Sequence, residues 1–237
     1  METFIVRMWL PDRPGALGAV ASRIGAVRGD VVGIDILERG AGRAIDELVV
    51  ELPDANLVSL LLSEVNQVDG VDVEDVRPAV AARRDARLDA LDTAALLVET
   101  SDRVGLLGRL VACSRKGFEA DWAAAIDVES RDLVASEGAA PPPEWLAAFV
   151  AGCQSSAAAA SGDHGPDDAA CALLGRTSLA VVLGRQGRPF RARERYQLAA
   201  LARIAGVRAS ELDAPALTEP RRADLAAPAR HPLLAAD

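Results

Sequence analysis

The sequence predicts an α+β protein made of two successive units, and three observations carry that reading. Half of the 237 residues are hydrophobic, enough for packed cores. Segments with apolar residues at every second position alternate with segments whose apolar residues recur at three and four. Two stretches with little to bury, 79–90 and 209–237, then divide the chain into a unit at 1–78, a linker, a unit at 91–208 and a flexible tail.

The first unit opens on a strand pattern. Phe4, Val6, Met8 and Leu10 fall on one side and Ile5, Arg7 and Trp9 on the other, so both faces are partly covered. Pro11 ends it. Over 15–28 the period changes, and Leu17, Val20, Ile24 and Val27 form the stripe of an amphipathic helix. A second strand at 31–38 leads through the glycine-rich turn 39–42 into a third at 43–52. After Pro53, Asp54 is placed to cap a helix carrying Leu57, Val58, Leu61, Leu62 and Val65. Val71 and Val73 alternate with Asp72 and Glu74 in a fourth strand. The order β-α-β-β-α-β is the split βαβ, ferredoxin-like arrangement, an antiparallel sheet with both helices on one face.

In the second unit 88–118 is mostly helix-compatible, with Leu91, Ala95, Val98, Val104, Leu107, Leu110 and Val111 as its apolar positions. Segments 122–128 and 133–136 read as a hairpin, and 144–154 as a helix begun after three prolines. The stretch 155–168 reads as loop, and 169–174 and 179–183 as short apolar strands. A last helix spans 191–207, with Tyr196, Leu198, Leu201 and Ile204 among its apolar members.

The first strand-to-helix junction holds the chemistry. Its sequence is D-R-P-G-A-L, residues 12–17. Pro14 is preorganised for a first helical turn, and Gly15 lets another molecule approach the backbone. The N–H groups of Gly15, Ala16 and Leu17 have no partner within a helix starting there, and the helix dipole favours an anion above them. A carboxylate of an amino acid suits that place, and Asp12 is positioned to meet an ammonium. The bare alternative is a helix start that binds nothing.

With D-R-P-G-A-L, the helix behind it and the following G-D-V-V-G-I-D-I (29–36), the segment 4–77 resembles an ACT domain, an amino-acid-sensing module of metabolic enzymes and regulators. The resemblance implies a ligand at a dimer interface, between this loop of one copy and the start of the second strand of another. Carried over by position, the ligand-binding residues are Asp12, Pro14, Gly15, Ala16 and Leu17 with Asp30, Val31 and Val32. Many members have asparagine where this chain has Asp30; a carboxylate there suits an ammonium and repels a carboxylate.

Residues 107–128, 132–138 and 179–205 resemble a GAF-like domain, an α/β sensory fold with a central antiparallel sheet flanked by helices. The resemblance implies a pocket covered by 141–168. The alternative is a second ACT copy, with 94–99 as its first strand and E-T-S-D-R-V-G-L-L-G-R-L (99–110) echoing the first loop. Val104 replaces the proline, however, so Ser101 or Asp102 reads as an ordinary helix cap.

A net charge of −9 argues against nucleic-acid binding. No stretch has the length and apolarity of a membrane span, and the opening residues lack the pattern of a signal peptide. Cys113, Cys153 and Cys171, outside any C-x-x-C spacing, read as free buried thiols of a cytoplasmic protein. Two histidines, both in loop-like sequence, leave little for acid–base chemistry, and G-x-S-x-G and G-x-G-x-x-G are missing. His164 beside Asp163 and Asp167 reads as an acidic loop, not a metal site. The expectation is a cytoplasmic, non-catalytic, homodimeric sensor without cofactor or metal, binding an amino acid or similar metabolite and regulating an unidentified protein. The alternatives are a dimeric scaffold with an empty site and a tandem ACT protein.

Overall fold

The computed structural model describes residues 1–79, 86–155 and 168–214, which form two four-stranded antiparallel sheets. The first unit runs β1 (Glu2–Pro11), α1 (Ala16–Ala26), β2 (Asp30–Gly40), β3 (Arg43–Leu52), a 3-10 turn (Ala55–Leu57), α2 (Val58–Val65) and β4 (Asp72–Pro78). Its strand order, β2-β3-β1-β4, is that of the split βαβ arrangement. Phe4, Val6, Met8 and Leu10 of β1 pack with Leu48, Val50 and Leu52 of β3 against Val20 and Ile24 of α1 and Leu61 and Val65 of α2. Asp54 accepts a hydrogen bond from the Asn56 N–H at 2.8 Å and starts the turn into α2.

The second unit runs α3 (Ala86–Glu99), α4 (Arg103–Gly117), β5 (Trp122–Asp127), β6 (Leu133–Glu137), α5 (Pro143–Ser155), β7 (Ala169–Leu173), β8 (Leu179–Gly184) and α6 (Ala192–Asp213), with strand order β6-β5-β8-β7. Leu97, Leu107, Leu110, Leu198, Leu201 and Ala205 cover one face of this sheet, from α3, α4 and α6. On the other, Leu146, Ala147 and Val150 of α5 pack on Ala124, Ile126, Ala180 and Val182. Asp102 caps α4, accepting from the Gly105 N–H at 2.7 Å.

Several expectations change. Residues 94–99 are helical, so they cannot open a second ACT copy, and the tandem alternative falls. Helix α3 begins within the segment read as linker, and α6 runs to Asp213, within the segment read as tail. Leu91, Val98, Val104 and Tyr196 are exposed: α3 turns Leu97 inward, and α6 buries a row of small residues, Ala202, Ala205 and Ala209, on the side away from Tyr196. The three free thiols, of Cys113 on α4, Cys153 on α5 and Cys171 on β7, are half-buried. Burial, then the Cys153 thiol beside it, pushes the Cys171 thiol upward. Most of the 155–168 loop with His164, and residues 215–237, lie outside the described residues.

The odd-numbered face of β1 explains how the units join. Arg7, 1% exposed, binds Glu47 of β3 at 2.9 Å and donates to the Pro189 carbonyl at 2.8 Å and to Glu194 of α6 at 3.5 Å. Arg77 of β4 binds Glu47 and Glu119, each at 2.8 Å. Trp9 donates its indole N–H to Glu74 at 2.8 Å, and Glu74 pairs with Arg191, whose guanidinium lies 5.0 Å from the Trp9 ring centre. Arg193 of α6 pairs with Asp35 of β2 at 2.9 Å. The alternating strand pattern thus serves a helix layer on one side and a second unit on the other. Burial pulls the Arg185 guanidinium down to about 10 against the attraction of Glu194, which it binds at 2.8 Å.

Candidate functional site

At Pro11 the strand ends and the Asp12 N–H donates to the Gly42 carbonyl at 2.9 Å, tying the β1–α1 loop to the β2–β3 turn. The Arg13 N–H reaches back to the Pro11 carbonyl at 2.8 Å. Gly15 caps α1 in the left-handed conformation, φ 88° and ψ −15°, and no side chain caps the helix. Among the described residues, the amides of Gly15, Leu17 and Gly18 have no hydrogen-bond acceptor, whereas Ala16 and Ala19 donate to Arg13 and Gly15 carbonyls. A Cβ on Gly15 would meet nothing within 4 Å, so the space above the helix start is open. Asp12 and Pro14 are exposed, Leu17 is half-buried and Ala16 is buried. Unbonded amides, a helix dipole and open space together favour an anion.

Asp30, Val31 and Val32 do not join this loop within one chain. Asp30 is level with Glu51, which pairs with Thr3, while the loop follows Pro11. The two groups are therefore roughly 27 Å apart, at about 3.4 Å per residue. Asp30 and Val32 are exposed.

The structure adds residues that the loop motif does not reveal. Asp46 of β3 is level with Met8 of β1 and Ile36 of β2, on the helix-covered face, and is only 3% exposed. Its Oδ1 is buried and has no hydrogen-bond partner among the described residues. Burial raises its carboxyl above the ordinary value; Arg39 opposes the rise and Asp12 adds to it. Beside it, Ile34 is level with Leu48 and Arg39 with Ala44, which places both on the same face as Asp46. Ile34 and Ile36 are 47% and 38% exposed, although this face elsewhere forms the core. The signal was present in the third strand: the alternation Ala44, Asp46, Leu48, Val50 puts a carboxylate in an apolar row.

A pH effect follows. The folded chain holds Asp46 protonated to a higher pH than the unfolded chain, whose carboxyl titrates near 3.8. This contribution to stability is complete below that value and is lost as pH rises through the raised one. Asp46→Asn is therefore expected to melt at a temperature that gains on the parent's between pH 4 and 7. Melting curves across that range check it; a difference that shrinks with rising pH contradicts the assignment.

At the junction of the units, Asp35, Glu47, Asp89, Cys113, Arg193 and Gln197 help line a cavity of about 80 Å³. Glu47 is engaged by Arg7 and Arg77, and Asp35 by Arg193, so much of its charge is spent in holding the units together.

Among the described residues no group of His, Cys, Asp and Glu could hold a metal, and no helix is long and apolar enough to cross a membrane. No family model and no curated protein matches the chain. Among solved structures, 33% of the chain is similar to the ACT domain from a GTP pyrophosphokinase of Chlorobium tepidum, covering 97% of that domain at 15% identity and a TM-score of 0.27. A formyltetrahydrofolate deformylase from Pseudomonas putida is similar over 45% of this chain and 40% of its own, at 19% identity and a TM-score of 0.27. An unknown protein from Galdieria sulphuraria is similar over 86% of this chain and 91% of its own, at 12% identity and a TM-score of 0.31. At such low scores the likeness of the first unit to an ACT domain rests on its element order, its strand order and the Pro14-Gly15 loop.

Proposed function

We propose that this chain is a regulatory protein whose ACT-like first unit binds an amino acid or a similar small metabolite. The observation that carries the reading is the open start of α1, where Gly15, Leu17 and Gly18 hold unbonded amides beneath open space. The ligand's carboxylate sits on these amides and Asp12 faces its ammonium. A second copy supplies Asp30, Val31 and Val32, which completes the site in a homodimer. The protein acts in the cytoplasm, without catalysis or cofactor, and the second unit, GAF-like in its helix-flanked antiparallel sheet, carries the signal to a partner protein. Binding energy at the shared site shifts the dimer equilibrium, and dimerisation in turn strengthens binding.

Thermal unfolding of the full chain with each common amino acid tests this. A ligand at 100 times its Kd adds about 2.7 kcal/mol. Gly15→Asp is expected to abolish the shift: it sets a carboxylate against the bound one, while a Cβ there meets no neighbouring atom and the left-handed backbone costs about 1–3 kcal/mol. No shift with any amino acid at millimolar concentration refutes the sensor. A second reading, assembly without ligand, draws on β2, an edge strand with Val32, Ile34 and Ile36 exposed. It predicts a dimer that Gly15→Asp leaves unchanged.

A further inference from the structure

We propose that Asp46 and Arg39 set the specificity of this site: Asp46 takes the ammonium and Arg39 the carboxylate of a zwitterionic amino acid whose apolar side chain lies on Ile34 and Ile36. The inference rests on the reading of the β1–α1 loop as a ligand site and names what that site selects.

Four observations meet on one face of one sheet end. The start of α1 has unbonded amides. Asp46, nearly sealed from water, has an Oδ1 without a partner in a place where a buried carboxylate oxygen is costly to leave unpaired. It is level with Met8, three residues before Pro11, where β1 ends and the loop begins. Arg39, exposed and level with Ala44, is coupled to the same carboxylate and takes part in no ion pair among the described residues. Ile34 and Ile36 continue this face as an apolar shelf.

The chemistry of these groups excludes simpler ligands. A plain carboxylic acid would satisfy the amides and Arg39 but leave the Asp46 Oδ1 without a partner. A plain amine would pair with the carboxylates and leave the amides and Arg39 empty. A zwitterion answers both, and the shelf favours an aliphatic side chain over a charged one because Ile34 and Ile36 offer no partner to a charge. Oδ1 is sealed from water, so binding entails a side-chain rearrangement around it, after which the ammonium is enclosed.

The test titrates the full chain calorimetrically with leucine, with 3-methylbutan-1-amine, which lacks leucine's carboxylate, with 4-methylpentanoate, which lacks its ammonium, and with glutamate. Leucine is expected to bind about 10- to 100-fold more tightly than each of the others, the range set by one charged hydrogen-bonded group. Asp46→Asn is expected to weaken leucine by a similar factor and to leave 4-methylpentanoate unchanged, which separates lost recognition from lost fold. Arg39→Gln is expected to weaken leucine and leave the amine unchanged. Leucine binding that Gly15→Asp abolishes but Asp46→Asn and Arg39→Gln leave intact overturns this inference and keeps the site. A preference for glutamate sensitive to Gly15→Asp also overturns it. Failure of every amino acid to bind removes the site and the inference together.

Discussion

Replacing Arg7 with alanine is expected to lower the unfolding free energy by about 3–5 kcal/mol, the range for breaking one partner out of a buried ion pair. The Arg7 guanidinium is 1% exposed and binds Glu47 at 2.9 Å, the Pro189 carbonyl at 2.8 Å and Glu194 at 3.5 Å. Removing it leaves Glu47, itself 4% exposed, with fewer cations, though Arg77 still reaches it at 2.8 Å. The loss therefore exceeds that of a surface pair, which is about 0–1 kcal/mol. Because water is excluded, the loss persists at high salt, where an exposed pair would be screened. Denaturant unfolding at low and high salt measures both features. A loss below 1 kcal/mol, or one that disappears with salt, contradicts the described junction. Arg7 joins β1 to the segment leading into α6, so the same substitution is expected to loosen the two units from each other. Faster proteolysis of the sequence between them than of the parent would report it.

Gly206→Ala is expected to destabilise, against the usual effect of alanine in a helix. Alanine in a helix interior is normally favoured over glycine by about 0.8–1 kcal/mol. At Gly206, however, a Cβ would come within 2.6 Å of the Leu174 carbonyl carbon and oxygen and 2.9 Å of the Gly175 nitrogen, all backbone atoms. Backbone cannot swing aside as a side chain can, so α6 must move from β7 or the strand end must bend. Overpacking of this kind costs about 1–3 kcal/mol, which outweighs the propensity gain. Gly108, within α4, is the control: a Cβ there meets nothing within 4 Å, and Gly108→Ala is expected to stabilise by the full propensity difference. Paired denaturation curves decide it. If both alanines stabilise, α6 does not approach the β7 end as closely as described.

Most of the element pattern was legible because its cause is local. The period of Phe4, Val6, Met8 and Leu10, the switch at Pro11 and the cap at Asp54 or Asp102 each depend on neighbours a few residues away. Two helical stripes misled for the same reason. Leu91, Ala95 and Val98 and the position of Tyr196 have helical spacing, but spacing does not say which side of a helix meets the sheet. That choice was made by packing: α6 lies close to β7 through Gly206 and turns its alanines inward, leaving Tyr196 76% exposed.

The candidate site divides along the same line. The loop from Asp12 to Leu17 was readable since a proline, a glycine and a helix start are adjacent in sequence. Asp46 was readable only as an anomaly in its strand, and its neighbours Arg39 and Ile36 were not readable as a group.

By itself the sequence determined the two αβ units, the strands and helices of each, and the glycine turn that opens α1. Tertiary structure alone decided that Arg7 and Glu47 would be buried as a junction and that Asp46, Arg39 and Ile36 would share one face of the sheet. The physical reason is range. Periodicity and capping act within one or two turns of chain, whereas the pairing of β1 with β3 aligns residues 32 to 50 positions apart, and only the register of the strands says which side chains share a face.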